Sequence, residues 1–200
     1  MVLLMTAALL RESEAVALTT EDLSVEIYDP SAAQRGRARG EEGEGENPID
    51  VLVVRIVRSK TDQEARGDTI IVADNEGDTP LKPVSAYLNW MDIRDSTELF
   101  DEVPSIPPSP YAFQNLKTGA GLSPDTPRGI IKRWLTAIGE DPAEYGGHSA
   151  RSGGATAAAN SGIAIDLLRR HGRWKSDAVY VYIHDSRAAR IAVSRAALAD

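Results

Sequence analysis

The sequence predicts an α+β fold, mainly α-helical, with a small three-stranded antiparallel sheet in its first half. Three observations point to it. The runs Ser24 to Tyr28 (SVEIY), Ile49 to Ser59 (IDVLVVRIVRS) and Asp68 to Val72 (DTIIV) alternate or run apolar in the manner of β-strands. On either side of them, apolar residues recur at the i, i+3, i+4 spacing of helices. The chain has 200 residues, 42% of them hydrophobic and 26% charged, which suits one domain able to bury a full core.

In chain order, residues 1 to 18 read as a helix whose Leu9 and Leu10 side packs inward. The opening MVLLMTAALL is apolar, but it has no basic leader and runs straight into RESE, so it is read as a helix and not as a signal peptide or membrane span. Arg11 and Glu14 stand three apart on it, which by itself describes a surface ion pair worth about 0.3 kcal/mol. Between the first two strands, DPSAAQRGRARGEEGEGENP cannot bury apolar surface, and residues 31–48 are expected to be a disordered insertion. The second and third strands are joined by KTDQEARG, whose polar residues and Gly67 suit a long hairpin loop, with Lys60 at the strand end entering it. A lysine there is ordinarily a solvated charge.

Thr79 to Arg94 follows as a helix, with Val84, Tyr87, Leu88 and Met91 at i, i+3, i+4 and i+7 as its core side. The proline-rich DEVPSIPPSPYAF reads as a rigid connector. Thr126 as N-cap with Pro127 at the first helical position opens a helix through Ile138 that ends at Gly139, its core candidates being Ile130, Ile131, Trp134 and Ile138. The next helix starts near His148, carries the small-residue run GGATAAAN that lets it pack very close to its neighbours, and ends at Gly162. Ile163 to Arg170 begins another that stops near Gly172. Ser176 or Asp177 can cap a further helix bearing Tyr180 and Tyr182, and the tail DSRAARIAVSRAALAD is amphipathic.

With no cysteine there is no disulfide and no thiolate metal site, so an intracellular protein is the default. A net charge of −8 weighs against a general nucleic-acid binder. The charge is uneven, however. Arg151 to Asp200 holds 8 basic and 4 acidic residues, a local +4, which leaves −12 on the rest. A basic C-terminal segment can hold DNA while the acids face solvent, with weak and steeply salt-dependent affinity.

The stretch from Gly146 to His184 collects the residue types of a phosphate site. His148 and Arg151 lie on one face of a helix start, where free backbone N–H groups and the helix dipole also favour an anion. Trp174 adds an indole donor that cannot titrate, and Tyr182 a phenol able to attack. His171 and His184 have no partners at metal-ligand spacing and read as polar surface. Singly, each of these residues is ordinarily core or surface; only the ordered combination is informative.

That combination, H-S-A-R, then G-R-W-K-S, then Y-I-H, resembles the C-terminal motif block of the tyrosine recombinases, the phage-integrase family. The family also has an upstream Arg followed by an acid, and a Lys on a β-hairpin; Arg11, Glu14 and Lys60 stand here in the same order. The resemblance implies a tyrosine-recombinase catalytic domain over residues 1–200 that cleaves and rejoins double-stranded DNA through a 3′-phosphotyrosine. Its implied catalytic residues are Arg11, Lys60, His148, Arg151, Trp174 and Tyr182, with Glu14 behind them orienting an Arg or His. Arg11 becomes a bidentate phosphodiester clamp, and Lys60 the general acid that protonates the leaving 5′-oxygen. The Y-I-H pattern selects Tyr182 as nucleophile, and Tyr180 is read as packing. No metal or other cofactor is implied.

Relatives of this kind place a DNA-gripping N-terminal domain ahead of the first Arg, which here is residue 11, so the chain is expected to lack that core-binding domain. The C-terminal helix is expected to dock on a neighbouring protomer, giving a homo-oligomer on DNA. No membrane association is expected, and the compartment would be the nucleus in a eukaryote or the cytoplasm in a bacterium. Two other functions stand beside this one. A type IB topoisomerase has a similar site, but the Trp174 form and the short chain disfavour it. A decayed, non-catalytic DNA-binding remnant of a mobile element is kept open by the acidic balance and the missing N-terminal domain.

Overall fold

The computed structural model describes residues 1–31, 47–57, 67–77, 79–96 and 109–198. Lys60, most of the 31–48 insertion and most of the proline-rich connector lie outside the described residues. The fold is α+β and mainly helical, with a three-stranded antiparallel sheet. The chain divides into two compact units, Met1–Ala15 with Ser123–Asp200, and Val16–Leu122. No helix among the described residues is long and apolar enough to cross a membrane.

In the Val16–Leu122 unit, β1 (Leu23–Tyr28), β2 (Ile49–Ile56) and β3 (Asp68–Ala73) lie in the order β1-β2-β3. The register sets Val54 between Leu23 and Ile70, and Leu52 opposite Val72. The pleat turns these side chains to one face, where all five are buried, while Ile71, one residue out of phase, is exposed. Helix α3 (Pro83–Asp95) packs on β2 and β3.

It starts later than the spacing predicts because Asp74, just past β3, caps it from outside. The Asp74 carboxylate accepts from the N–H groups of Val84 (2.6 Å) and Ser85 (3.2 Å). Val84 and Tyr87 are buried as expected, but Leu88 is exposed. Trp90 anchors that side instead: its indole donates to the Ala112 carbonyl at 2.7 Å, and its ring lies 6.2 Å from Phe113.

The other unit contains α1 (Val2–Ala7), the first turn of α2 (Glu12–Ala17), α4 (Asp125–Ala137), α5 (Ser149–Asn160), α6 (Ile165–His171) and α7 (Arg187–Ala196). The single helix expected over residues 1–18 is two. It breaks at Leu9, whose φ of 49° is left-handed, and the Leu10 N–H closes the end of α1 on the Met5 carbonyl at 3.0 Å. A continuous helix would carry Leu10 off the stripe formed by Leu4, Met5 and Ala8. The break lets Leu4, Met5, Ala8, Leu9 and Leu10 all bury.

Helix α1 packs against α5, and the two backbones come close at Gly154, where a Cβ would lie 2.2 Å from the Thr6 carbonyl oxygen. The small-residue run thus permits the contact it was expected to permit. The apolar stripe of α4, by contrast, is not core. Trp134 and Ile138 are 57% and 73% exposed, and Ile130 and Ile131 only half-buried. The 3₁₀ turn Pro142–Glu144 that packs on α4 is too short to cover the stripe.

The helix expected to carry both tyrosines is a 3₁₀ turn, Asp177–Tyr182, capped by the Ser176 hydroxyl. Three residues per turn put Val179 and Tyr182 on one side. Val179 is buried and Tyr182 half-buried, whereas Tyr180, expected to pack, is 60% exposed.

Candidate active site

Glu14 organises the site. It is the third residue of α2, and its Oε2 accepts from the Arg11 backbone N–H (2.8 Å) while its Oε1 accepts from Arg11 Nη1 (2.6 Å). The pair is therefore one half of a capping box, with the acid reaching back to the N–H ahead of the helix, and not a solvated surface pair. Glu14 is buried. A second guanidinium, Arg173, donates from Nη2 to Oε2 at 2.7 Å, and Arg151 Nη1 stands 3.8 Å from the same oxygen.

Arg151, in the first turn of α5, is fully buried. Its Nη1 donates to the Leu9 carbonyl and its Nη2 to the Gly172 carbonyl. Its Cζ lies 4.4 Å from the Trp174 ring centre and 5.6 Å from that of Tyr182, within the range of cation–π attraction. The Trp174 and Tyr182 rings are 5.2 Å apart, tilted by 50°. The exposed His148 presents its ring edge-on to Tyr182 at 6.1 Å. The backbone of Tyr182 is held by α5, its carbonyl accepting from Ser152 Oγ (2.9 Å) and Thr156 Oγ1 (3.0 Å). The same helix thus sets both Arg151 and the nucleophile candidate. Among the described residues, the buried Trp174 indole N–H has no acceptor, and neither have the Nε atoms of Arg151 and Arg173.

Burial is the largest influence on Arg151; with the charge of Arg11 it lowers the guanidinium to about 10, against the pull of Glu14. For Glu14 burial works upward, but the charge of Arg173, followed by the backbone hydrogen bond and charge of Arg11, outweighs it and holds the carboxyl below its ordinary value. An ionised Glu14 beside three guanidinium groups leaves a net positive site in an acidic chain. Among the described residues, no group of three His, Cys, Asp or Glu side chains is gathered that could hold a metal ion.

The structure thus brings together Arg11, Glu14, Arg151, Trp174 and Tyr182, with His148 at the rim; Lys60 is outside the described residues. His171, expected on the surface, is half-buried, its Nε2 2.8 Å from the Ala7 carbonyl. The reason is the break after α1, which leaves the carbonyls of residues 7 to 9 facing away from helical partners; His171, Arg173 and Arg151 take them up. His184 is exposed, as expected. Arg173 is the residue that the sequence reading missed. Its only signal is its place between Gly172 and Trp174.

No family model matches the sequence, and no curated protein matches it. Solved structures do match. The chain resembles the XerA recombinase over 98% of its length, at 16% identity and a TM-score of 0.59, covering 56% of that protein. It resembles the XerH site-specific recombinase, solved in a post-cleavage complex with a palindromic difH substrate, over 96% of its length, at 15% identity and a TM-score of 0.57, covering 43%. A third likeness is to the Tn1549 transposon integrase in complex with a circular intermediate DNA, over 99% of this chain and 57% of that one, at 17% identity and a TM-score of 0.53. The chain spans about half the length of these proteins. Such identities speak to architecture alone: the chain shares its fold with part of each of two recombinases and a transposon integrase.

Proposed function

We propose that this chain is the catalytic domain of a tyrosine recombinase, which cuts and rejoins double-stranded DNA through a covalent 3′-phosphotyrosine. The observation that carries this reading is the convergence of Arg11, Arg151, Trp174 and Tyr182 around one buried carboxylate, although the first and last are 171 positions apart in the chain. The shared architecture with two recombinases and an integrase supports it.

In the reaction, the Tyr182 oxygen attacks phosphorus in line as its proton passes to His148. The bond from phosphorus to the 5′-oxygen breaks, and Lys60 protonates the leaving oxygen. Charge spreads over the non-bridging oxygens, where Arg11, Arg151, His148 and the Trp174 N–H are the partners. Each terminal nitrogen of Arg151 keeps one N–H beyond those given to carbonyls. The rings covering Arg151 belong to Trp174 and Tyr182, so the movement that admits a phosphate also brings it to the phenol. The 3′-phosphotyrosyl ester retains the energy of the broken bond. A second 5′-hydroxyl then attacks phosphorus, its proton passing to Lys60, and expels the Tyr182 oxygen, which regains its proton from His148; the strand is resealed without ATP.

Oligomerisation on DNA is the corresponding assembly. Helix α7 leaves Ile191 and Val193 exposed, and Leu198 beyond it is 86% exposed. A groove of about 460 Å³ lined by Ala7, Leu9, Ala158, Ile163, Leu167 and Leu168 offers an apolar seat for the same helix of a neighbouring copy. The protein would act where the chromosome is, in the nucleus or the bacterial cytoplasm.

The test is a nicked duplex that traps the covalent intermediate. The wild-type chain should form an adduct stable to denaturation. Tyr182→Phe should bind the duplex and form none, and Tyr180→Phe should form it normally. An adduct in Tyr182→Phe moves the nucleophile elsewhere, and no adduct in any form leaves a non-catalytic DNA-binding domain. Relaxation of a supercoiled plasmid by a monomer points to the topoisomerase chemistry instead.

A further inference from the structure

Two non-glycine residues among those described have a left-handed φ, Leu9 at 49° and Arg173 at 58°, and they meet. The Arg173 Nη2 is 3.4 Å from the Leu9 carbonyl and 2.7 Å from Glu14 Oε2, while Nη1 reaches the carbonyls of Ala8 (3.4 Å) and His171 (3.3 Å). Each left-handed L-residue costs about 1 kcal/mol or more, and such strain persists only where the surroundings over-determine it. Glycine would hold the turn at residue 173 without that cost, so the side chain has a reason to be there. Trp174 leaves this turn and folds back over Gly172 so closely that a Cβ on that glycine would lie 1.8 Å from the indole.

The contact that decides what Arg173 does is its hold on Glu14 Oε2. Arg151 Nη1 stands 3.8 Å from that oxygen, too far for a hydrogen bond. Without Arg173, Oε2 would keep the Arg11 backbone N–H but lose its charged donor, leaving the buried carboxylate paired with Arg11 through Oε1 alone, a costlier state than the present one. Arg151 is the nearest remaining cation not already bonded to the carboxylate. A movement of about 1 Å would pair it with Glu14, drawing it off the Trp174 face and cancelling the charge that a phosphate would meet.

We infer that Arg173 is a positioning residue for the transesterification. By occupying Glu14 it keeps Arg151 stacked on Trp174 and its charge available to the scissile phosphate. This role rests on the recombinase reading. It also makes a prediction that a merely structural role does not: taking the charge off Glu14 should relieve the loss of Arg173.

The experiment compares the wild type, Arg173→Gly, Arg173→Lys and the double variant Glu14→Gln/Arg173→Gly. Glycine suits the left-handed turn, so the backbone is not put at risk. On the trapping duplex at saturation, Arg173→Gly should form adduct about tenfold or more slowly, with DNA affinity changed by no more than about threefold. Arg173→Lys should fall between it and the wild type, and the double variant should be faster than Arg173→Gly alone. A wild-type rate in Arg173→Gly, or a double variant slower than the single one, overturns the inference.

A DNA-free readout runs beside it. The protein labelled with 5-fluorotryptophan gives one ¹⁹F resonance for each of its three tryptophans, and Trp174→Phe assigns the relevant one. That resonance should move in Arg173→Gly and return toward its wild-type position in the double variant. If the wild type forms no adduct, the recombinase reading fails, while this comparison still decides whether Arg173 holds Arg151 on Trp174; an unmoved resonance sinks it.

Discussion

Adjacent glycines in α5 should respond to alanine with opposite signs. At Gly154 a Cβ would lie 2.2 Å from the Thr6 carbonyl oxygen and 2.8 Å from Leu9 Cδ2, where unstrained contact begins near 3.4 Å. The nearest atom is backbone, so α1 itself must retreat by about 1 Å, an overpacking cost of about 1–3 kcal/mol. Alanine returns about 1 kcal/mol through helix propensity. Gly154→Ala should therefore be destabilised by about 1 kcal/mol. A Cβ at Gly153 would meet nothing within 4 Å, so there only propensity acts, and Gly153→Ala should gain about 0.5–1 kcal/mol.

Urea titration followed by circular dichroism measures both, and the midpoints should move apart with the slope unchanged. The displacement at Gly154 also reaches the site, since the moved segment carries the Leu9 carbonyl that receives Arg151. Adduct formation should fall in Gly154→Ala and not in Gly153→Ala. A Gly154→Ala chain as stable as Gly153→Ala would refute the reasoning, since α1 and α5 would then not be packed as closely as the structure has them.

Acid stability should report Glu14. Its folded-state pKa lies below the unfolded one, so its contribution is complete above the ordinary glutamate value, about 4.3, and is lost as the pH falls through the folded value. Thermal melts should be flat near neutrality and fall steeply below about pH 4, and Glu14→Gln should show a shallower fall; parallel curves would uncouple Glu14 from stability. On α7, Ile191→Asp/Val193→Asp should change stability by less than about 0.5 kcal/mol, because both residues are exposed. The same pair should abolish the slower, multi-protomer complexes on DNA in native gels. Complexes that survive it would remove α7 from the interface.

What could be read from the chain without its structure follows the range of the forces involved. The three strands were legible because alternation is a local property and one face of the sheet is buried. That Arg11, Arg151, Trp174 and Tyr182 gather in one place, with His148 at its rim, was expected from the order of residue types along the chain and from no local force; what they do there is a separate question. The exposed stripe of α4 was not legible, because periodicity announces an apolar face without saying what covers it. Nor was the orientation of Tyr180, which turned on whether the last turn winds at 3.0 or 3.6 residues.

The break at Leu9 and the burial of Arg173 were hidden for a deeper reason: neither makes sense alone. A left-handed leucine frees carbonyls that need donors, and a left-handed arginine 164 residues later brings its guanidinium to them and to Glu14. No local propensity encodes either conformation, since each is uphill by about 1 kcal/mol in isolation. Each is offset in part by the other, together with the burial of Leu10 and the bonds from Arg151 and His171, so this coupling is visible in three dimensions alone. It lies where Arg151 and Trp174 are held, which is where the proposed chemistry would need such strain to be kept.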